Sequence, residues 1–273
     1  MRIRLENVNK AFGTQQVLDA LNLEIEPKKI TFIIGQSGGG KSTLVDAIAG
    51  YRPATNGQVF VNGIDVYKNF DAIRNDIGFV PQRDIIHMEL TVYQALDYAA
   101  RLRMPKDTNK AERHQRIMEV LDDLDLAHRK DVQISGLSGG QQKRVSIGVE
   151  LLTKPGLFFL DEPTSGLDPG TETALMQLMR RLADQGRTIV SASTLDGETG
   201  NVSELGQGLL RGPLDRALDG IGLEQHAQVE VDTAQAVGYR GPLVLRLAER
   251  AWSHLVSQLR HQPRPFAPDR QQH

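Results

Sequence analysis

ITFIIGQSGGGKSTLVDAIAG, residues 30–50, is the stretch that decides the fold. Ile30–Ile34 is apolar without alternation, as a strand buried on both faces must be, and it breaks at Gly35 into a glycine-rich loop. From Lys41 the apolar Leu44, Val45 and Ile48 return at helical spacing and Gly50 supplies a stop, so a helix over 41–49 is expected. Strand, loop and helix follow one another directly. Gly35, Gly38, Gly40, Lys41 and Ser42 hold the G-x-x-x-x-G-K-S register of a phosphate loop. Glycines let backbone N–H groups close on phosphate without a Cβ in the way, and a helix start adds partial positive charge. The expected nucleotide contacts are therefore Gly35, Gln36, Ser37, Gly38, Gly39, Gly40, Lys41, Ser42 and Thr43, with Lys41 on the outer phosphates and the Ser42 hydroxyl on Mg²⁺.

Outward from this stretch, strand and helix signals alternate. Ile3, Leu5 and Val8, then Leu21, Leu23 and Ile25, read as two strands; residues 57–66 read as a hairpin turning at Asn62-Gly63; Ile77–Val80 is a strand ended by Pro81. Residues 91–103 and 110–124 are helical by period, defining an all-helical insert over about 87–135. A helix from about Gly139, a strand over 157–160, a helix over 172–183 and a strand over 188–190 complete the pattern. The fold class expected is α/β: a mainly parallel, helix-flanked sheet with an N-terminal antiparallel β subdomain and a helical insert.

LFFLDEPTSGLD, residues 157–168, supplies the second half of a hydrolytic site. An apolar strand delivers Asp161 to the metal, and Glu162, one residue on, can orient or deprotonate an attacking water. LSGGQQKR, residues 137–144, is a second anion-binding helix start, with Ser138 as hydroxyl donor and Gly139 and Gly140 leaving the backbone open. One nucleotide seldom needs two such sites in one chain.

With these three motifs in place, residues 1–190 resemble the ATP-binding cassette family, a phosphate-loop ATPase fold. The resemblance implies that the Ser138 signature faces the γ-phosphate held by the opposite subunit of a head-to-tail dimer. It also implies that Phe12, in KAFG, stacks on adenine, that Gln82, after GFVP, approaches Mg²⁺ where the insert meets a membrane partner, and that Asp168, in SGLD, lies on the loop crossing the dimer interface. Glu162, Gln82 and Lys41 are then the catalytic set, and Ser42, Gln82 and Asp161 the metal set, for ATP and Mg²⁺. GLSGGQQKRVSIGVELL and LTVYQALDYAARLRMP look most like the ABCG group of eye-pigment and lipid or sterol half-transporters, where membrane helices usually follow the nucleotide domain on the same chain.

The pattern departs from the family at two places. A histidine is usual at the end of the strand GRTIVSAST, but Thr194 falls there, and no histidine occurs between His128 and His226. A threonine hydroxyl can donate one hydrogen bond but cannot carry charge. Beyond about residue 191 the usual closing strands are not recognisable. All ten lysines lie at or before Lys154, while 196–273 holds eight arginines and eight glutamines. The organisation expected is a cassette domain over 1–195 and a divergent, fused or frame-shifted segment over 196–273, with an amphipathic helix at about 246–260 and a disordered tail at 262–273.

A net charge of −2 over 273 residues gives no global attraction to nucleic acid or anionic membrane, and the absence of cysteine removes disulfides and thiolate chemistry. No apolar run reaches the roughly 18 residues of a membrane span. The expected partners are a second cassette and a transmembrane domain on another chain or a missing segment, placing the protein in the cytoplasm at the inner face of a membrane. Nucleic acid is not an expected partner. Two other readings stay open: a nucleic-acid or ribosome-associated cassette, and a nucleotide-binding remnant with little turnover. Arg101, Arg103, Arg113 and Arg116 are expected to form a solvated face of the insert.

Overall fold

The computed structural model describes residues 1–35, 37–194, 230–232 and 243–246. Alternating apolar residues build the first two strands, β1 (Ile3–Phe12) and β2 (Gln15–Ile25), an antiparallel pair that sets Ile3 against Ile25 and Leu5 against Leu23. The next strand, β3 (Ile30–Gly35), is buried along its whole length and leads through the glycine loop into α1 (Lys41–Ala49). β4 (Asn56–Val61) returns to pair with β1 and turns into β5 (Ile64–Asp65). Its turn residues Asn62 and Gly63 have φ of 50° and 82°, the left-handed pair that a type I′ hairpin requires. A one-turn helix, α2 (Phe70–Ile73), then leads to β6 (Ile77–Val80).

The insert is helical as expected. Its helices α3 (Val92–Arg103) and α4 (Lys110–Asp123) each begin with a reciprocal capping box, Thr91 with Gln94 and Asn109 with Glu112. Then come α5 (Gly139–Leu151), β7 (Leu157–Asp161), α6 (Pro169–Asp184) and β8 (Thr188–Thr194). α6 begins three residues before the expected Glu172, because Asp168 caps it and Pro169 fits the first turn, where a missing N–H costs nothing. β8 runs four residues beyond the expected Val190.

Two sheets result. One is antiparallel, in the order β2-β1-β4-β5. In the other, β6-β7-β8-β3 are parallel, and two further strands, β9 (Glu230–Asp232) and β10 (Leu243–Arg246), extend it antiparallel beyond β3. Two strands thus lie beyond residue 191, where none was recognisable in the sequence. The two segments are only three and four residues long, too short to show a period against their polar surroundings. The helix expected at about 246–260 and the tail at 262–273 lie outside the described residues, apart from Arg246 at the end of β10.

The central sheet separates two apolar cores, and strand periodicity divides the residues between them. Phe32, Ile34, Phe158 and Leu160 pack with Leu96, Val120, Val145 and Met176 of the helices; Ile33, Phe159 and Val190 pack with Leu44 and Ile48 of α1 and with Ile3 and Val59 of the antiparallel sheet. Burying each such side chain contributes about 1.5–3 kcal/mol, so both faces of the strands hold their ends in fixed positions.

Of the arginine face expected on the insert, Arg101 and Arg103 are exposed, Arg113 is partly buried, and the expectation is corrected at Arg116. Arg116 is buried, and its guanidinium donates to the carbonyls of Leu151 (2.5 Å) and Leu152 (3.2 Å) at the end of α5. It satisfies acceptors that a helix C-terminus leaves open. Arg113 and Arg101 both pair with Asp97, and Arg103 pairs with Glu150.

Candidate active site

Register alone gathers the expected residues at one edge of the sheet. Gly35 pairs with Thr194, Asp161 with Ala192, and Val80 with Leu160, so the carboxyl ends of β3, β8, β7 and β6 lie side by side. Ligand sites in open parallel sheets form at such an edge.

At the end of β3 the chain turns through Gly38 (φ 76°) and Gly40 (φ 84°), left-handed conformations that glycine adopts without strain. A Cβ on Gly40 would also stand 2.9 Å from Val17 Cγ1, so the loop lies close against β2. α1 starts with no side-chain cap and no acidic residue in its first turn, which leaves its positive end to an incoming anion. Lys41 is buried and its ammonium donates to the Gly35 carbonyl at 3.0 Å. Desolvation lowers its pKa, opposed in part by the charges of Glu162 and Asp161. Gln36 lies outside the described residues.

Ser42 donates to Asp161 Oδ1 at 3.1 Å. Burial raises the Asp161 pKa, the Ser42 hydrogen bond and Lys41 pull it down, and the charges of Glu162 and Asp46 raise it further. A cation here would relieve that desolvation. Among the described residues no group of three His, Cys, Asp or Glu gathers to cage a metal. One hydroxyl, one carboxylate and a nearby amide instead suit Mg²⁺, which keeps waters and phosphate oxygens in its shell. The residues present therefore fit both a polyphosphate and its Mg²⁺.

Glu162 leaves β7 with φ of 46°, a left-handed conformation that costs a non-glycine residue about 1–2 kcal/mol. Its N–H donates to the Ala192 carbonyl at 2.9 Å. The Gln82 amide donates to Glu162 Oε2 at 2.7 Å, and the Thr194 hydroxyl donates to Oε1 in a short hydrogen bond. Both carboxylate oxygens are thus held, one from the end of β6 and one from the end of β8.

The ABC transporter family profile matches residues 18–165. The chain belongs to the ABC transporter family. An ABC transporter ATP-binding/permease protein of Mycobacterium tuberculosis is 46% identical over 178 residues, covering 65% of this chain and 21% of that protein. ABC transporter G family member 13 of Arabidopsis thaliana is 40% identical, covering 66% of this chain and 27% of that protein. The broad substrate specificity ATP-binding cassette transporter ABCG2 of Rattus norvegicus is 38% identical, covering 64% and 27%. The chain thus spans about a fifth to a quarter of the length of these relatives. Among solved structures, cbiO1 of Clostridium perfringens, part of the ABC transporter complex cbiONQ, superposes with a TM-score of 0.65 at 29% identity, covering 71% of this chain and 78% of that one. The ATP-binding cassette MJ0796, dimeric and bound to ADP and Pi, superposes with a TM-score of 0.61 at 30% identity, covering 70% and 87%.

In this cassette the other expected site residues stand apart from the cluster around Asp161. Ser138 caps α5, its Oγ accepting from the Gln141 N–H at 3.4 Å while Gln141 Oε1 accepts from the Ser138 N–H at 3.1 Å. The hydroxyl proton of Ser138 remains a donor. Gly139 is exposed, but Gly140 is buried, and a Cβ on it would come within 1.9 Å of Thr171 Cγ2. The two adjacent glycines therefore have different reasons: one keeps the helix start open, the other lets α5 approach α6. Asp168 accepts at Oδ1 from the N–H groups of Gly170 and Thr171, both at 3.0 Å, and at Oδ2 from the Thr171 hydroxyl. Those Thr171 hydrogen bonds hold its pKa low. Phe12 is half exposed at the end of β1 with the Lys10 ammonium over its ring, open to a planar ligand rather than part of a core.

Lys143, Asp84 and Thr171 are missing from the expected set and stand out only in the folded chain. Lys143 lies within the 137–144 motif and Thr171 three residues after the 157–168 motif, yet nothing in residue spacing shows which partner each one meets.

Proposed function

We propose that this chain is the ATP-binding and ATP-hydrolysing domain of a membrane transporter. The observation that carries this reading is the Glu162 carboxylate held by Gln82 and Thr194 beside the Ser42–Asp161 pair. When bound, Mg²⁺-ATP supplies an electrophilic phosphorus and a metal that neutralises charge on the leaving phosphate. Backbone N–H groups of Gly38–Gly40, the head of α1 and Lys41 bind the phosphates; Ser42, Asp161 and Gln82 hold the metal. Phe12 stacks on the base. Glu162 orients the attacking water and accepts its proton at a carboxylate oxygen. Thr194 and Gln82 fix the direction of that carboxylate, which is the positioning that phosphoryl transfer chiefly needs.

Ser138, Gly139, Gly140 and Asp168 serve a second cassette, each nucleotide lying between one phosphate loop and the opposite Ser138. The dimeric ATP-binding cassette MJ0796 supports this reading. The membrane domain is on another chain or on a segment beyond this one; among the described residues no helix is long and apolar enough to cross a membrane. Similarity to the G family supports a lipid-like or apolar cargo, moved out of the cell from a cytoplasmic ATPase at the inner membrane face. On this reading residues 1–195 are the cassette domain and 196–273 a divergent segment that lends β9 and β10 to its central sheet.

The test is ATP turnover by the purified chain and by Glu162→Gln. Removing the carboxylate charge lowers kcat by about 10²–10⁴-fold while ATP binding persists. Turnover of the unmodified chain no higher than that of the variant defeats the enzyme proposal. One observation favours a second reading: Thr194 offers Glu162 a hydroxyl and no titratable group. ATP binding without phosphate release would support that non-hydrolysing role.

A further inference from the structure

Lys143 lies on α5, five residues after Ser138, with its side chain 6% exposed. Its ammonium meets three oxygens: the carbonyls of Pro81 at 3.1 Å and Gln82 at 3.2 Å, and Asp84 Oδ1 at 3.0 Å. An ammonium has three N–H donors, and all three are used on one four-residue segment. That segment has little else to hold it. Among the described residues, the backbone from Pro81 to Ile86 makes no hydrogen bond to other backbone, and Gln82, Arg83 and Ile85 are exposed. The packing of α5 does not call for a charge there, since its buried neighbours Val145, Ile147 and Leu151 belong to an apolar core.

From this geometry we infer that Lys143 is a positioning residue, fixing the Pro81–Asp84 segment so that the Gln82 amide reaches Glu162. The inference rests on the nucleotide site proposed above. A burial this complete is unfavourable for a charge unless its donors are satisfied, so the carbonyls of Pro81 and Gln82 are held inward and the Gln82 side chain is directed outward to Glu162. Ser138 and Gln82 also become two ends of one connection. Five residues of helix, about 7.5 Å of rise, separate the helix start at Ser138 from the ammonium that grips the Gln82 backbone. A displacement of α5 therefore moves Gln82.

The test uses the full chain with Lys143→Met, Gln82→Ala and the double variant. In the nucleotide-free protein, tryptic cleavage after the exposed Arg83 should speed up about tenfold or more in Lys143→Met, while hydrogen exchange over 30–49 stays as in the parent. For turnover, kcat should fall by about 10–100-fold with KM for ATP within about twofold, as when a support of a metal site is removed. In the Gln82→Ala background the same substitution should cost nothing further. Unchanged cleavage after Arg83, or an equal loss of kcat in both backgrounds, overturns the inference. If the parent chain does not turn over, the functional proposal fails by itself. Cleavage after Arg83, with calorimetric ATP affinity measured with and without Mg²⁺, still decides Lys143: the Mg²⁺ enhancement should shrink in Lys143→Met, and an undiminished one counts against it. If Lys143→Met does not fold, Asp84→Asn keeps both carbonyl contacts and should speed cleavage after Arg83 by a smaller factor; no increase refutes the clamp.

Discussion

Gly139 and Gly140 share a motif, and alanine at each should have opposite effects on stability. A Cβ at Gly139 finds its nearest neighbour, Leu167 Cδ2, at 3.8 Å, an ordinary contact on an exposed helix start. Gly139→Ala therefore gains about 0.4–1 kcal/mol from the reduced freedom of the unfolded chain. A Cβ at Gly140 lies 1.9 Å from Thr171 Cγ2 and 3.3 Å from Thr171 Cβ. Turning Thr171 away breaks its hydroxyl bond to Asp168, worth about 1 kcal/mol, and leaving it in place forces α5 from α6 at about 1–3 kcal/mol. After the same entropic gain is subtracted, Gly140→Ala should lose about 1 kcal/mol, roughly 2–4 °C in unfolding temperature for a domain of this size. Denaturant melts of the two variants and the parent, with the slope checked for constancy, measure both signs. Turnover separates the roles: Gly139→Ala should impair ATPase activity in a chain at least as stable as the parent. Equal stability of Gly140→Ala and the parent would refute the steric argument, and full activity of Gly139→Ala would count against the anion site at Ser138.

Two further substitutions address the Asp161–Glu162 centre. Burial raises the Asp161 pKa, so the folded chain holds that proton more tightly than the unfolded one, and the charged carboxylate opposes folding at neutral pH. Asp161→Asn should raise the unfolding temperature of the nucleotide-free chain at pH 7, with the advantage shrinking as pH falls through the raised pKa; nucleotide binding should meanwhile lose its Mg²⁺ dependence, read by calorimetry. Thr194→Val keeps the shape and removes the hydroxyl on Glu162, so kcat should fall by about tenfold with KM for ATP little changed, while Thr194→Ser restores it. Equal activity of Val and Ser variants would show that the hydroxyl does not position Glu162.

The parts of the site that depend on local sequence were legible before the fold was known. Glycine spacing, the apolar run before it and the helical period after it are properties of neighbouring residues, and the structure has the loop, β3 and α1 where they were expected. The capping boxes of the insert, T-x-x-Q and N-x-x-E, are local signals of the same kind, though the expectation of those helices rests on the helical period alone. What escaped was set by residues far apart in the chain. The 1.9 Å approach at Gly140 comes from Thr171, the partners of Lys143 lie about 60 residues earlier, and Arg116 meets carbonyls 35 and 36 residues later. Short β9 and β10 carry too few residues to display a period, so only their pairing beside β3 makes them strands.

Asp161 and Glu162 show how a site can exceed its motif. In an extended strand two consecutive carboxylates would point to opposite faces of the sheet. Here the charges of both oppose the lowered Lys41 pKa, while Asp161 meets Ser42 and Glu162 meets Gln82 and Thr194. The left-handed φ at Glu162 makes this arrangement possible by ending the strand's alternation at the second carboxylate. Such a conformation persists only when its surroundings over-determine it. Four hydrogen bonds do so: the Glu162 N–H to Ala192, the Ser165 N–H to the Glu162 carbonyl, and the side-chain contacts from Gln82 and Thr194. The strain sits at the residue whose direction matters most to the proposed chemistry, and its supports come from β6 and β8 on either side of β7. Adjacent acids thereby acquire separate tasks, one toward a metal and one toward water, through a backbone torsion that the letters D and E do not reveal.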